Sequence, residues 1–266
     1  MRVTIVQTSL HWENPEANRS MLSGKLGPLQ GQTDLIVLPE MFPTGFSMNA
    51  AGLAEPMDGP TLQWMRDTAR LLDSALTGSF ICAEAGRFYN RLVWMFPDGH
   101  FLVYDKKHLF SLAGEHEHFA AGDKRLLVEW KGWRICPLIC YDLRFPVWSR
   151  NTAIPSREGD FEKEGVYDML IYVANWPSRR SHHWRTLLTA RAIENQAFTI
   201  GVNIFGSDGN GLEYVGDSGI TDFSGTQICR ISDREDTVTT ELSLGDLQQY
   251  RRQLPFLHDS DAFKLI

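Results

Sequence analysis

The chain has 266 residues, 43% hydrophobic and 22% charged, which is enough for one large folded domain with a substantial core. Its formal net charge of -7 argues against a nucleic-acid partner, because binding phosphates requires clustered positive charge. No apolar stretch is long enough to span a bilayer, and the first residues alternate like a strand rather than a signal peptide, so we expect no membrane association.

The four cysteines do not suggest a disulfide framework. Cys136 and Cys140 would lie about 13 Å apart along an extended strand, too far to bridge. We therefore expect free thiols and a cytoplasmic location.

Strand-like and helix-like segments alternate along the whole chain. Residues 3–8 are predicted as the first strand, and Asn14-Pro15 begins a helix with an N-cap residue followed by proline. The apolar run from Asp34 to Leu38 predicts a strand buried on both faces that ends at Glu40. Further strands are predicted at 80–85, 91–96, 101–104, 126–130, 133–140, 168–175 and 198–205, and further helices begin at Gly59-Pro60 and Ser181.

This alternation predicts two sheets packed face to face with helices outside, a four-layer α-β-β-α sandwich. No linker or low-complexity segment interrupts it, so one domain covers residues 1–266. The last residues, about 12 of them, form a predicted extended tail, because 254–257 and 263–266 are apolar for a terminus.

Cys140 is the candidate nucleophile. It ends the apolar run 135–140 and is followed at once by Tyr141 and Asp142. A strand that delivers a cysteine to a sharp turn, with backbone N–H groups beyond it, presents a thiol beside an oxyanion hole.

Two further strand ends carry polar candidates. Glu40 follows a buried strand, where desolvation suits a carboxylate to general-base catalysis. Lys107 follows the predicted hairpin strand 101–104 as the second of two lysines, and the apolar Leu109-Phe110 after it suggests that one of the pair is drawn inward.

Glu40, Lys107 and Cys140, in that order and in their local settings, resemble the nitrilase superfamily of carbon–nitrogen hydrolases. The resemblance runs from Val3 to about Phe256 and rests on Leu38-Pro39-Glu40-Met41-Phe42, a Lys-x-His-Leu-Phe segment ending at Phe110, Cys140-Tyr-Asp-Leu-Arg-Phe-Pro, and Ala190-Arg-Ala-Ile-Glu-Asn-Gln196. Within the superfamily the chain is most similar to the omega-amidase branch, in which the lysine segment continues into Gly114-Glu115-His116.

The resemblance implies a Glu-Lys-Cys triad: Cys140 as nucleophile, Glu40 as general base and Lys107 as oxyanion donor. It further implies the Tyr141 backbone N–H as a second donor and Glu115 as an auxiliary carboxylate, with Glu117 as the alternative. No metal and no organic cofactor are required. It also implies a homodimer, since such tails often pack across a dimer.

The substrates implied are short dicarboxylic monoamides such as 2-oxoglutaramate and 2-oxosuccinamate. A far carboxylate needs a cationic anchor, for which the chain offers Arg144, Arg179 and Arg180 without distinguishing them. The predicted substrate-binding residues are Phe46, Arg144, Asn175 and Trp176.

Four alternatives stay open. A papain-like enzyme would use Cys140 with His182 or His183 and Asn203, although such nucleophiles sit near the mature N-terminus. A zinc site at His116 and His118 lacks a spaced ligand set. The others are another hydrolase of the superfamily, acting on aliphatic amides, N-carbamoyl amino acids or nitriles, and a non-catalytic scaffold of the same fold. Tyr141 argues against a nitrile hydrolase, in which the residue after the cysteine is commonly tryptophan.

Overall fold

The computed structural model describes residues 1–151 and 166–261. Strands and helices alternate through both ranges. In chain order the strands are β1 (Arg2–Gln7), β2 (Leu35–Val37), β3 (Ala75–Glu84), β4 (Arg87–Met95), β5 (Phe101–Asp105), β6 (Val128–Trp130), β7 (Trp133–Ile139), β8 (Met169–Val173), β9 (Phe198–Val202), β10 (Phe205–Ser207), β11 (Glu213–Thr221), β12 (Gln227–Ser232) and β13 (Asp236–Glu241). The helices are α1 (Pro15–Leu26), α2 (Ala50–Leu53), α3 (Pro60–Leu72), α4 (Glu115–His118), α5 (Pro146–Ser149), α6 (Ser181–Asn195) and α7 (Leu244–Gln253). Short 3-10 helices cover Gly27–Leu29, Ser111–Ala113, Cys140–Arg144, Ser178–Arg180 and Phe256–Asp259.

The strands form two mixed sheets. The first has the order β13-β1-β2-β3-β4-β5, with β2 parallel to both of its neighbours. The second has the order β10-β11-β9-β8-β7-β6, with β12 paired to β11 and with β7, β8 and β9 parallel. Chain segments that leave the ends of parallel strands emerge at one edge of each sheet, which gathers the polar residues that follow β2, β7 and β8.

The main core lies between the sheets. Leu35 and Val37 of β2 share one hydrophobic cluster with Leu138 of β7 and Ile171 of β8, all completely buried. Ile36, between Leu35 and Val37, points to the opposite face and packs with helices α1 and α3. This alternation is why β2 reads as a continuous apolar run, and it confirms the predicted burial on both faces.

Helix α6 covers the outer face of the second sheet. Trp184 and Leu188 of α6 lie so close to β9 that a Cβ atom on Gly201 would be 2.4 Å from Leu188 Cδ1. Glycine at this position therefore permits the close approach of helix and strand. With α1 and α3 outside the first sheet, the layers follow the order α-β-β-α, and the predicted fold is confirmed.

Several predicted boundaries are wrong by a few residues. The segment predicted as one strand at 198–205 contains β9 and the separate β10, and β3 begins at Ala75 rather than residue 80. Strands β11 to β13 and helix α7 were not predicted. Of the predicted tail, Leu257 is buried and Phe256 is exposed, whereas residues 263–266 lie outside the described part of the chain.

Candidate active site

Cys140 begins a 3-10 helix directly after β7. Its φ of 43° lies in the left-handed region, which a residue with a side chain rarely adopts. The strained turn holds the thiol at the surface of a cavity of about 380 Å³, where Cys140 is only partly buried. Such strain at a strand-to-helix turn is typical of a presented nucleophile.

The Cys140 turn is fixed from below by Asp142, whose carboxylate is completely buried. One of its oxygens accepts hydrogen bonds from the Ile139 backbone N–H (3.0 Å) and the Tyr104 hydroxyl (2.7 Å). The other accepts from the His108 backbone N–H (3.0 Å) and bonds to His108 Nδ1 (2.8 Å). Asp142 thus ties the nucleophile turn to the segment that follows β5. This role of Asp142 was not predicted, although an acidic residue just after a predicted buried strand was a signal for it.

Glu40 is completely buried beyond the end of β2. Its Oε1 accepts hydrogen bonds from Lys106 Nζ at 2.9 Å and from Asn90 Nδ2 at 2.8 Å. Its Oε2 accepts from the Asn175 backbone N–H at 2.8 Å, and the charge of this carboxylate acts on the Cys140 thiol. The ends of β2, β7 and β8 therefore meet around Glu40, as the predicted strand tips required.

The lysine in the site is Lys106, and the prediction of Lys107 is wrong. Lys106 is completely buried, and its Nζ lies 2.9 Å from Glu40 and 2.9 Å from Glu115. Lys107 is half-buried, with Nζ 5.5 Å from the ring centroid of Trp148. Side chains alternate along an extended chain, so Lys106 follows the buried Tyr104 inward while Lys107 points the other way. In the Lys-x-His-Leu-Phe segment one residue separates the lysine from His108, which already indicates Lys106.

Glu115 is the second carboxylate on this lysine, and it is completely buried at the start of α4. Both of its oxygens lie 2.9 Å from Lys106 Nζ, and Oε2 also accepts from the Phe110 backbone N–H. Glu117 is the other acidic residue considered, but 68% of its side chain is exposed. The geometry therefore favours Glu115.

Asn90 is a site residue that the sequence analysis did not identify. It lies on β4, fully buried, and its Nδ2 donates to Glu40 (2.8 Å) and to Glu115 (3.2 Å). Its backbone carbonyl accepts from the Lys106 N–H at 3.0 Å. Asn90 therefore bonds to both carboxylates of the buried cluster and to the backbone of Lys106. The sequence feature that could have indicated Asn90 is a polar residue within an apolar strand of a hairpin.

Burial and neighbouring charge set the ionisation of the cluster. Burial, followed by the charge of Glu40, raises the pKa of Cys140 well above its ordinary value, although Lys106 opposes the shift. Burial alone would lower the pKa of Lys106, but Glu115 and Glu40 raise it above its ordinary value. Burial also raises the pKa of Glu115, against the opposing charge of Lys106. At neutral pH the cluster therefore holds a charged lysine and a protonated thiol.

The predicted substrate-binding residues all line or approach the cavity. Phe46 has its ring centroid 5.1 Å from Lys106 Nζ, and Asn175 has an unpartnered buried Oδ1 beside Glu40. Trp176 lies under the guanidinium of Arg144 at 4.8 Å. The walls include aromatic, apolar and a few charged side chains: Phe46, Met48, Phe110, Leu112, Tyr141, Arg144, Asn175, Trp176, Arg179, Arg180, Asp208, Leu212 and Tyr214.

The residues proposed for a papain-like triad and for a zinc site make other contacts in the structure. His183 Nδ1 lies 3.1 Å from Arg144, and Asn203 accepts from the Trp176 backbone N–H at 2.7 Å, so both support the cavity wall rather than a papain-like triad. His116 and His118 lie on α4. Among residues 1–151 and 166–261 no group of three His, Cys, Asp or Glu side chains is arranged to hold a metal ion. In the same ranges no helix is both long and apolar enough to cross a membrane.

Comparison with known proteins agrees with this architecture. The carbon-nitrogen hydrolase family model matches residues 2–252. An omega-amidase YafV from Yersinia enterocolitica is 45% identical over 100% of this chain and 99% of its own length. A 2-oxoglutaramate amidase from Bacillus subtilis is 30% identical over 97% of this chain and 96% of its own length.

The solved structure of XC1258 from Xanthomonas campestris, a CN-hydrolase superfamily protein with an arsenic adduct in its active site, superposes with a TM-score of 0.96. It is 46% identical and covers 100% of this chain and 99% of that one. The predictions of a nitrilase-superfamily fold and of an amidohydrolase are thereby confirmed. The chain belongs to the carbon–nitrogen hydrolase family and is an amidase of the nitrilase superfamily.

Proposed function

We propose that this chain is an omega-amidase, which hydrolyses the terminal amide of short dicarboxylic monoamides such as 2-oxoglutaramate and 2-oxosuccinamate. The observation that carries the proposal is the Lys106 ammonium, held by Glu40 and Glu115 beside the Cys140 thiol at the base of a cavity. The names of the relatives support the substrate class.

In the first step Glu40 takes the thiol proton and the Cys140 sulfur attacks the amide carbon. The raised pKa of Cys140 makes this base necessary, because little thiolate exists beforehand at neutral pH. The new oxyanion accepts hydrogen bonds from Lys106 Nζ and from the Tyr141 backbone N–H at the start of the 3-10 helix.

In the second step the carbon–nitrogen bond breaks, and the proton held by Glu40 passes to the departing ammonia. A water molecule then gives a proton to Glu40 and attacks the thioester, which releases the dicarboxylate and restores the thiol. Glu115 does not exchange protons in this scheme. Its two oxygens hold Lys106 in place and keep it charged.

We further propose that the enzyme is a cytoplasmic homodimer. Its four free cysteines suit a reducing compartment, and the exposed Phe256 near the end of the described chain suits a contact between subunits. Size-exclusion chromatography with light scattering tests the dimer, for which a monomer mass would be contrary evidence.

The test of function is a comparison of kcat/KM, from ammonia release, for 2-oxoglutaramate, glutaramate, glutamine and the uncharged glutaramide. We expect the 2-oxo acid and glutaramate to be preferred, and glutamine to be poor because its α-ammonium enters a cavity lined by Arg144 and Arg180. Cys140→Ala, which removes only the sulfur, is the control for contaminating amidase. Equal rates for glutaramide and glutaramate would contradict the omega-amidase proposal but not the amidase chemistry.

A further inference from the structure

The cavity over Cys140 carries an excess of positive charge. Arg144, Arg179 and Arg180 all line it. Among residues 1–151 and 166–261, none of these arginines forms an ion pair with a carboxylate. The acidic residue in the wall is Asp208, whose Oδ1 accepts from the backbone N–H groups of its own hairpin and whose Oδ2 accepts from the Tyr214 hydroxyl at 2.9 Å.

The three arginines differ in their side-chain contacts and in their exposure to solvent. Arg144 is engaged: its Nη2 lies 3.1 Å from His183 Nδ1, and its guanidinium covers the Trp176 ring at 4.8 Å. Arg179 is exposed to solvent, where a charge is screened. Arg180 is half-buried, and its guanidinium lies 5.5 Å from the ring centroid of Phe110.

The backbone of Arg180 is held by two hydrogen bonds. Its carbonyl accepts a hydrogen bond from Trp176 Nε1 at 2.9 Å, and its N–H bonds to the Pro177 carbonyl at 3.0 Å. The Phe110 residue beneath its guanidinium donates its backbone N–H to Glu115. Phe110 therefore contacts Arg180 through its ring and the lysine cluster through its backbone.

We propose that Arg180 binds the distal carboxylate of the substrate, and thereby selects dicarboxylic monoamides over neutral amides. The inference rests on the proposed function and deepens it by assigning the selecting residue. In a five-carbon monoamide the carboxylate carbon lies about 5 Å from the amide carbon. The planar guanidinium can donate two parallel hydrogen bonds to that carboxylate, which a lysine cannot.

The electrostatics of Arg180 favour the binding of an anion. Burial, followed by the charges of Arg179 and Arg144, lowers the pKa of Arg180 below its ordinary value. The guanidinium still remains protonated at neutral pH, because arginine titrates far above it. A half-buried cation between two others gains more from a carboxylate than an exposed one does.

The test compares Arg180→Gln with Arg179→Gln, which removes the same charge one residue away, and with Arg144→Gln. The readout is the ratio of kcat/KM for glutaramate to that for glutaramide, a neutral molecule of the same length. Arg180→Gln should lower this ratio about 10- to 100-fold, mainly through KM for glutaramate. Arg179→Gln should lower it less than about 5-fold, as expected for an exposed charge. Arg180→Lys should give an intermediate ratio, because it keeps the charge and loses the two parallel bonds.

Two results would overturn the inference while the proposed function survives. In the first, the wild-type enzyme prefers glutaramate and Arg144→Gln, rather than Arg180→Gln, abolishes that preference. In the second, Arg180→Gln lowers the rates for both amides equally, which would make Arg180 structural. A wild-type enzyme without preference for glutaramate would instead overturn the proposed function, and the inference with it.

Discussion

Lys106→Met should lower both the stability and the activity of the enzyme strongly, whereas Lys107→Met should change both only slightly. Lys106 Nζ has three contacts of 2.9 Å with the oxygens of Glu40 and Glu115, and all three side chains are completely buried. Lys106→Met therefore leaves two carboxylates unpaired in the protein interior. Removing one member of a buried ion pair costs about 3–5 kcal/mol of unfolding free energy. Lys107→Met removes a cation 5.5 Å from a tryptophan ring, a contact of about 0.5–1 kcal/mol.

The same two variants should also differ in their kcat values. Loss of one oxyanion donor typically lowers kcat about 100- to 1,000-fold, so Lys106→Met should fall at least that far. The kcat of Lys107→Met should stay within about 5-fold of the wild-type value, because the Lys107 side chain lies outside the reacting cluster. Ammonia release measures kcat, and thermal denaturation should show a Tm lower by about 6–20 °C for Lys106→Met.

A second variant protects the test against simple unfolding. Lys106→Met combined with Glu115→Gln removes the unpaired charge of Glu115 together with the lysine, and should recover part of the lost Tm without recovering activity. An active Lys106→Met enzyme, or a Lys107→Met enzyme that loses activity while keeping its Tm, would refute this account of the site.

Three further predictions concern the surroundings of this cluster and the surface. Glu40→Gln should abolish the burst of ammonia that accompanies acylation of Cys140, since no base remains for the thiol; a normal burst in rapid-quench measurements would show another base. Asn90→Ala should lower kcat about 10- to 100-fold with little change in KM, because the lost hydrogen bonds reach charged carboxylates and not substrate, so a KM effect alone would contradict it. Burial would raise the pKa of Glu235, but hydrogen bonds from Lys25 and Ser9 together outweigh burial and lower the pKa from 4.5 to about 2. A lowered carboxyl pKa stabilises the fold above pH 4.5, and this stabilisation is lost as the pH falls toward 2. Lys25→Ala should therefore lower Tm at pH 6 and leave it unchanged at pH 2. An equal change in Tm at both pH values would contradict a stabilising ion pair between Lys25 and Glu235.

The positions of the reacting strand ends were predictable because their causes are local. Apolar runs at 34–38 and 135–139 can be buried on both faces only as central strands, and a polar residue after such a run must lie at a sheet edge. The helix at Pro15 was equally local, since the Asn14 side chain caps it by accepting from the Ala17 N–H. Strands β12 and β13 were not predicted because their residues are mostly polar and half-exposed, and only pairing across the sheet makes them strands. Strand β11 was not predicted because the glycines and polar residues at 216–219 interrupt its apolar pattern, although most of the strand is buried.

Whether Lys106 or Lys107 points into the site depends on where the extended conformation of β5 ends. Residues i and i+2 share a face, so an inward Tyr104 requires an inward Lys106 only if the extended conformation continues one residue past β5. The hydrogen bond from the Lys106 N–H to the Asn90 carbonyl is that continuation, and it depends on a partner strand that sequence alone does not align. The buried tyrosine is itself held by Asp142, from the turn that carries Cys140. The inward position of Lys106 is therefore determined by its pairing with β4 and by contacts between the two sheets, and in the sequence the spacing to His108 is the feature that distinguishes it from Lys107.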